Sequence, residues 1–246
     1  MIRFIICILY IVFVFIISLP QFVIYAVMRR KNPQKSAQAS QRFIVWVFKV
    51  IRAISGTKVI VKGLENVPDN TTVLYVGNHR SIFDIIISYP YLKNNTGFVA
   101  KESLKNTPLV GWWMRYLNCL FLNRENIKEG LKTILQGIEL VKNNTSVFIF
   151  PEGTRSETKE LLPFKEGSLK IAEKGKCPIV PVAITNTEEI FENHLPAIKK
   201  TAIVLEFGKP VNLSSLDRET KKHAAAYIRD IITDMRAGHP DYIKEV

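Results

Sequence analysis

Residues 4–28 carry no charge and are almost wholly aliphatic or aromatic. That run can form a helix long enough for a bilayer core, which needs about 20 apolar residues. A cleaved signal peptide is the alternative, but the run is long for one, lacks a small-x-small cleavage site and meets Arg29-Arg30-Lys31 directly. By the positive-inside rule, Arg29, Arg30, Lys31 and Lys35 place the following chain in the cytoplasm. Pro20 and Gln21 keep open a kinked helix dipping into one leaflet. A polar linker, Asn32 to Ser40, precedes a second apolar segment. There Phe43, Trp46, Val47, Val50, Ile51 and Ile54 recur at helical spacing, with Arg42, Lys49 and Arg52 on another face. The second helix is either an ordinary one packed on the core or one lying in the headgroup layer with Trp46 at the interface; following a membrane segment, the latter is favoured, and residues 1–55 then read as a two-helix membrane anchor.

From Gly56 the period changes. Short apolar runs at Lys58–Val61, Val73–Val76, Gly97–Ala100, Cys119–Leu122, Val147–Phe150, Ile179–Ile184 and Ala202–Phe207 read as strands. Helical segments fall near Ile82, over Ile127–Lys142, near Glu166 and over Asp217–Arg236. This alternation predicts an α/β domain over residues 56–246, a mixed sheet flanked by helices. Pro178 and Pro181 around Ile179 suggest that their strand lies at an edge.

Thirty-four Lys and Arg against 22 Asp and Glu give a net charge of +12. An anionic partner is implied. The apolar N-terminus favours a membrane surface, and neither an RNA-binding aromatic signature nor zinc-finger spacing argues for nucleic acid. Cys7, Cys119 and Cys177 form no C-x-x-C pair and read as buried thiols. His194, His223 and His239 sit in dispersed polar contexts and read as surface residues; no metal site is implied.

Two strands end in chemistry. Asn78-His79-Arg80-Ser81-Ile82-Phe83-Asp84 sets a carboxylate five positions after a histidine, about one and a half helical turns. Asp84 can then reach back to one imidazole nitrogen and raise the basicity of the other, leaving His79 a general base. Asn78 and His79 could instead merely tie down a helix N-terminus. Phe150-Pro151-Glu152-Gly153-Thr154-Arg155 follows the other strand. Gly153 permits close backbone approach, Thr154 adds a donor, and Arg155 can grip a phosphate through two parallel bonds. Glu152 would repel phosphate if turned inward, so it braces the turn or pairs with an arginine. Both motifs should lie at one end of one sheet. No G-x-S-x-G elbow supports a covalent serine intermediate.

Asn-His-x-x-x-x-Asp arises by chance in about 3 of 100 chains of this length, whereas Phe-Pro-Glu-Gly-Thr-Arg is rarer by about four orders of magnitude. Together these strings resemble the glycerolipid acyltransferases, with the chain as a whole similar to bacterial 1-acyl-glycerol-3-phosphate acyltransferases up to about Gly208. The resemblance implies direct attack of an acceptor hydroxyl on an acyl thioester, with His79 as base and Asp84 as its partner. It also implies Arg124, in Phe121-Leu122-Asn123-Arg124, as a second phosphate ligand. Where the family usually has glycine three places before that Phe, this chain has Asn118. Pro178-Ile179-Val180-Pro181-Val182 matches a further family segment that helps shape the site, with Pro181 as a supporting residue.

The expected reaction moves a fatty acyl group to the free hydroxyl of lysophosphatidic acid, giving phosphatidic acid. The donor is acyl-CoA or acyl carrier protein, no cofactor is required, and the catalytic domain sits on the cytoplasmic side of the cell membrane. Alternatives are another lysophospholipid or glycerol-3-phosphate as acceptor, a thioesterase, or a non-catalytic lipid-binding module.

Overall fold

The computed structural model describes residues 1–239; the predicted domain's last residues, 240–246, lie outside the described residues. Seven strands form one sheet: β1 (Lys58–Lys62), β2 (Leu74–Gly77), β3 (Thr96–Lys101), β4 (Leu120–Leu122), β5 (Ser146–Ile149), β6 (Ile179–Thr185) and β7 (Ala202–Phe207). Their spatial order is β1-β7-β6-β2-β5-β3-β4. β6, β2, β5, β3 and β4 are mutually parallel, β7 is antiparallel to β6, and β1 is parallel to β7. The sheet is therefore mixed, as expected, and the ends of β2, β5, β3 and β4 share one edge.

Helices cover both faces, which is why the central strands are apolar without alternation. On one face Tyr75, Phe98, Phe148 and Val182 pack under α1 (Ile2–Lys31), α2 (Pro33–Ser55), α3 (Phe83–Ser88) and α4 (Val110–Tyr116). On the other, Leu74, Val76, Val147 and Ile179 meet α5 (Ile127–Lys142), α6 (Lys170–Gly175) and α8 (Ala224–Ala237), which follows the short α7 (Arg218–Lys222). Successive residues such as Leu74 and Tyr75 fall in different clusters because strand side chains alternate.

Three local expectations change. The polar linker is largely helix: Asn32 caps α2 by accepting the Lys35 N–H at 2.9 Å, and Pro33 occupies the first turn. Small buried residues there, Ser36, Ala37 and Ser40, let α1 approach, with Ser36 Oγ donating to Tyr25 O. β6 is interior, between β2 and β7. It tolerates Pro181 because the β6–β7 ladder stops at Val182–Phe207 and resumes only as an isolated bridge at Ile179–Val211; the missing N–H falls in that gap, while Pro181 O accepts the Gly208 N–H. His239 is fully buried, bonded through its ring to Thr185 Oγ1 and Glu206 Oε2, each at 2.7 Å. Cys7 and Cys177 are buried, and Cys119 is partly so.

α1 runs unbroken through Pro20. One side packs on α2 and on α4, where Phe22 meets Trp112, Trp113 and Tyr116. The opposite side leaves Ile5, Leu9, Phe13, Ile16, Val23 and Val27 each at least 51% exposed, an apolar stripe along the helix.

Candidate active site

His79 leaves the end of β2 and is held at both backbone atoms by the second motif. Its N–H donates to Glu152 Oε1 at 2.7 Å, and its C=O accepts the Ser156 N–H at 2.8 Å. β2 and β5 are parallel neighbours, so the two motifs emerge side by side. The imidazole stacks on Phe150, with centroids 4.2 Å apart and planes 15° from parallel. Nδ1 lies 2.8 Å from Asp84 Oδ2. Among the described residues Nε2 has no protein partner, so the pair presents its free nitrogen outward from a site where the histidine side chain is 17% exposed.

Asp84 is fully buried and saturated with donors. Oδ2 accepts the Arg80 and Ser81 N–H groups at 2.7 and 2.9 Å besides the imidazole, and Oδ1 accepts Thr187 Oγ1 at 2.5 Å. Ser81 Oγ accepts the Phe83 N–H at 2.9 Å while Asp84 accepts the Ser81 N–H, so the two side chains together tie down backbone donors just ahead of α3. The same carboxylate thus ties down the backbone before α3 and orients the imidazole. Asn78 is structural in a specific way: its amide oxygen accepts Ile184 N–H and its NH2 donates to Ile184 O, both at 2.8 Å, stapling β2 to β6 just before His79.

The turn after β5 holds the remaining predicted residues. Glu152 points back, not at the ligand side: it accepts His79 N–H and, at 2.9 Å, Leu162 N–H. Burial pushes its carboxyl up, and those two backbone donors oppose the shift. Gly153 has φ of +76°, a conformation only glycine adopts cheaply, and Lys165 Nζ lies 3.0 Å from where a Cβ would stand. Thr154 and Arg155 are exposed at the tip. Arg124, exposed at the end of β4, shares the edge, but two strands separate β4 from β2, about 14 Å of sheet. Though exposed, Arg124 is partly desolvated, which lowers its guanidinium pKa. Asn118 takes φ of +55°, the left-handed conformation that glycine would occupy there and that Asn tolerates. Pro181 is buried within β6, where its O accepts the Gly208 N–H at 2.8 Å.

Sequence reading missed the loop after β6. Thr187 holds Asp84; Glu188 pairs with Arg80 at 2.6 Å, both side chains 9% exposed; Glu192 accepts Ser81 Oγ–H at 2.6 Å, Ile82 N–H at 2.8 Å and Arg155 Nη1 at 3.1 Å. Burial raises the Glu188 carboxyl although Arg80 opposes it. The only local signal was the acidic run Glu188-Glu189 with Glu192. Lys165, following Phe164, was likewise not singled out. No three of His, Cys, Asp and Glu come together as a metal-ligand set among the described residues.

A histidine whose Nδ1 meets a buried carboxylate, beside a turn carrying Arg155 at the sheet edge, has the geometry for proton transfer at Nε2. The acyltransferase family model matches residues 58–185, spanning both motifs and β6, and the chain belongs to that family. Among similar proteins is the 1-acyl-sn-glycerol-3-phosphate acyltransferase of Saccharomyces cerevisiae, 33% identical over 190 residues, covering 76% of this chain and 62% of the yeast protein. The Haemophilus influenzae enzyme of the same name is 28% identical over 210 residues, covering 85% of each chain. The crystal structure of the 1-acyl-sn-glycerophosphate (LPA) acyltransferase PlsC from Thermotoga maritima is similar throughout, with a TM-score of 0.75 at 25% identity, covering 100% of this chain and 97% of that one.

Proposed function

We propose that this protein is a 1-acylglycerol-3-phosphate O-acyltransferase, converting lysophosphatidic acid to phosphatidic acid. The observation that carries the reading is the His79–Asp84 pair, with Nε2 free, on the same sheet edge as Arg155; the names of its relatives specify the acceptor. His79 Nε2 takes the proton from the acceptor's secondary hydroxyl as that oxygen attacks the thioester carbonyl. The tetrahedral adduct then expels the donor's thiolate, which recovers the proton from His79. Asp84, acceptor-only and saturated, holds Nδ1–H in the tautomer that leaves Nε2 basic and opposes the transient imidazolium charge. Arg155 grips the acceptor's phosphate, with the Gly153–Thr154 turn and Lys165 beside it; Arg124 meets it from the β4 end, the span requiring its full side-chain reach. The thioester is acyl-CoA or acyl carrier protein, and no cofactor enters the scheme.

The exposed apolar stripe of α1 supports membrane seating. Its two ends both touch the rest of the protein: Phe4 stacks on Phe191 at 5.7 Å, and Arg29 Nη1 donates to Arg115 O at 2.8 Å. Contacts at both ends favour a helix lying along one leaflet over one crossing away from the domain, and the positive-inside rule favours cytoplasmic headgroups around Arg29, Arg30 and Lys31. The test is transfer from a labelled acyl thioester to lysophosphatidic acid in liposomes. Wild type should form phosphatidic acid and folded His79→Ala should not. Equal activity in the two would refute the base, and thiol release without lipid product would identify a thioesterase.

A further inference from the structure

The loop after β6 touches the base's carboxylate, the phosphate-gripping arginine and the anchor helix within six residues. Thr187 bonds Asp84, Phe191 stacks on Phe4 of α1, with planes 14° from parallel, and Glu192 gathers three donors from the other two motifs. Glu192 Oε1 takes both the Ile82 N–H and one Arg155 nitrogen, while Oε2 takes the Ser81 hydroxyl. Its side chain is 20% exposed, whereas that of Arg155 is 54% exposed. The arginine is thus a half-solvated side chain tied at one nitrogen to a carboxylate that is itself fixed to the start of α3.

We propose that Glu192 is a positioning residue for acyl transfer: it orders Arg155 before the phosphate arrives, and the Phe4–Phe191 stack makes that hold depend on α1. A guanidinium has five N–H donors, and the bond to Glu192 occupies one nitrogen, leaving the others for phosphate. A free arginine on an exposed turn would lose its rotamer freedom on clamping the ligand; one already held does not. A nearby carboxylate repels phosphate, but the three donors that Glu192 accepts offset its charge. Phe191 precedes Glu192 directly and Ile190 is fully buried, so displacement of Phe191 moves the carboxylate. This rests on the reading that Arg155 meets the acceptor's phosphate.

The experiment is steady-state kinetics of the full chain in liposomes, varying lysophosphatidic acid and thioester separately. Arg155→Ala should raise KM for lysophosphatidic acid. Glu192→Ala should raise the same KM about tenfold, the loss of one charge-assisted bond, with kcat and the thioester KM within threefold of wild type. Glu192→Gln should recover most of it, because an amide oxygen still accepts from Ile82 and Arg155 while its NH2 meets Ser81 Oγ. In the Arg155→Ala background, removing Glu192 should raise KM no further. Phe191→Ala should raise it severalfold with liposome binding unchanged. Additive effects of Arg155→Ala and Glu192→Ala, or a parallel loss of kcat and both KM values with a lowered Tm, would make Glu192 merely structural and overturn the proposal. A raised KM in Arg155→Ala with none in Glu192→Ala would overturn it while sparing the phosphate reading; an unchanged KM in Arg155→Ala would remove both.

Discussion

Asp84→Asn separates the charge of this carboxylate from its hydrogen bonds and so tests the proposed pairing with His79. In the native site three donors converge on Oδ2 and one on Oδ1. An asparagine can keep its oxygen at the crowded Oδ2 position, accepting His79 Nδ1–H and the two backbone N–H groups. Its NH2 then faces Thr187 Oγ1, which can turn to accept. The backbone bonds ahead of α3 and the imidazole tautomer survive, so the fold should too. What is lost is the negative charge opposing the imidazolium formed as Nε2 takes the proton. A unit pair about 4 Å apart interacts by about 4 kcal/mol at an effective dielectric of 20. Delocalisation over both groups and the retained neutral bond reduce this to about 2–4 kcal/mol. That corresponds to a roughly 30- to 1,000-fold fall in kcat. Measured at saturating thioester and lysophosphatidic acid, with thermal unfolding as the control, a fall below threefold in folded Asp84→Asn would refute the electrostatic role. Asp84→Ala is the less informative variant, since it strands two backbone donors and Thr187 in the interior and should lose stability first.

Gly153→Ala should destabilise by about 1–2 kcal/mol in urea unfolding, because φ of +76° is strained for alanine; the Lys165 amine 3.0 Å away can swing aside and adds little. No loss of stability would mean the turn relaxes. Ile16→Glu combined with Leu9→Glu, both on the exposed stripe of α1, should abolish sedimentation with anionic liposomes while leaving Tm within a few degrees; retained binding would show that α1 is not the seat. His239 gives a pH signature. Burial holds its imidazole below the ordinary value of 6.5, with Glu206 opposing and Lys62 and Arg236 assisting. The unfolded chain therefore takes a proton before the folded one, so the stability His239 contributes is present above about pH 6.5 and is lost as pH falls below it. Tm should drop more between pH 7.5 and 5.5 in wild type than in His239→Gln, and equal drops would show that His239 does not titrate on unfolding.

The neighbourhood of His79 and Asp84 was legible because it is local: a five-residue spacing, a strand before it and a helix after it leave the carboxylate few places to go. The same holds for the Gly153 turn and for all seven strands, whose apolar runs are set by nearest-neighbour periodicity. The anchor's second helix was visible from residue 42 onward, but its start was hidden because Ser36, Ala37 and Ser40 look polar or neutral until α1 is laid against them.

Tertiary structure decided the rest. The chain alone determined that it has an α/β domain, a histidine with a carboxylate beside it and a cationic turn at strand ends, and an apolar N-terminal helix. Only the sheet order made β6 a neighbour of β2, and that adjacency delivers Thr187 to Asp84 across 103 positions and Glu192 to Ile82 across 110. Pro181 reads as an edge signal until the gap in the β7 ladder is known, and His239 reads as surface until β6 and β7 enclose it. Periodicity reports which side of an element is buried; it carries no record of which distant segment does the burying, and that is where the supporting half of this site resides.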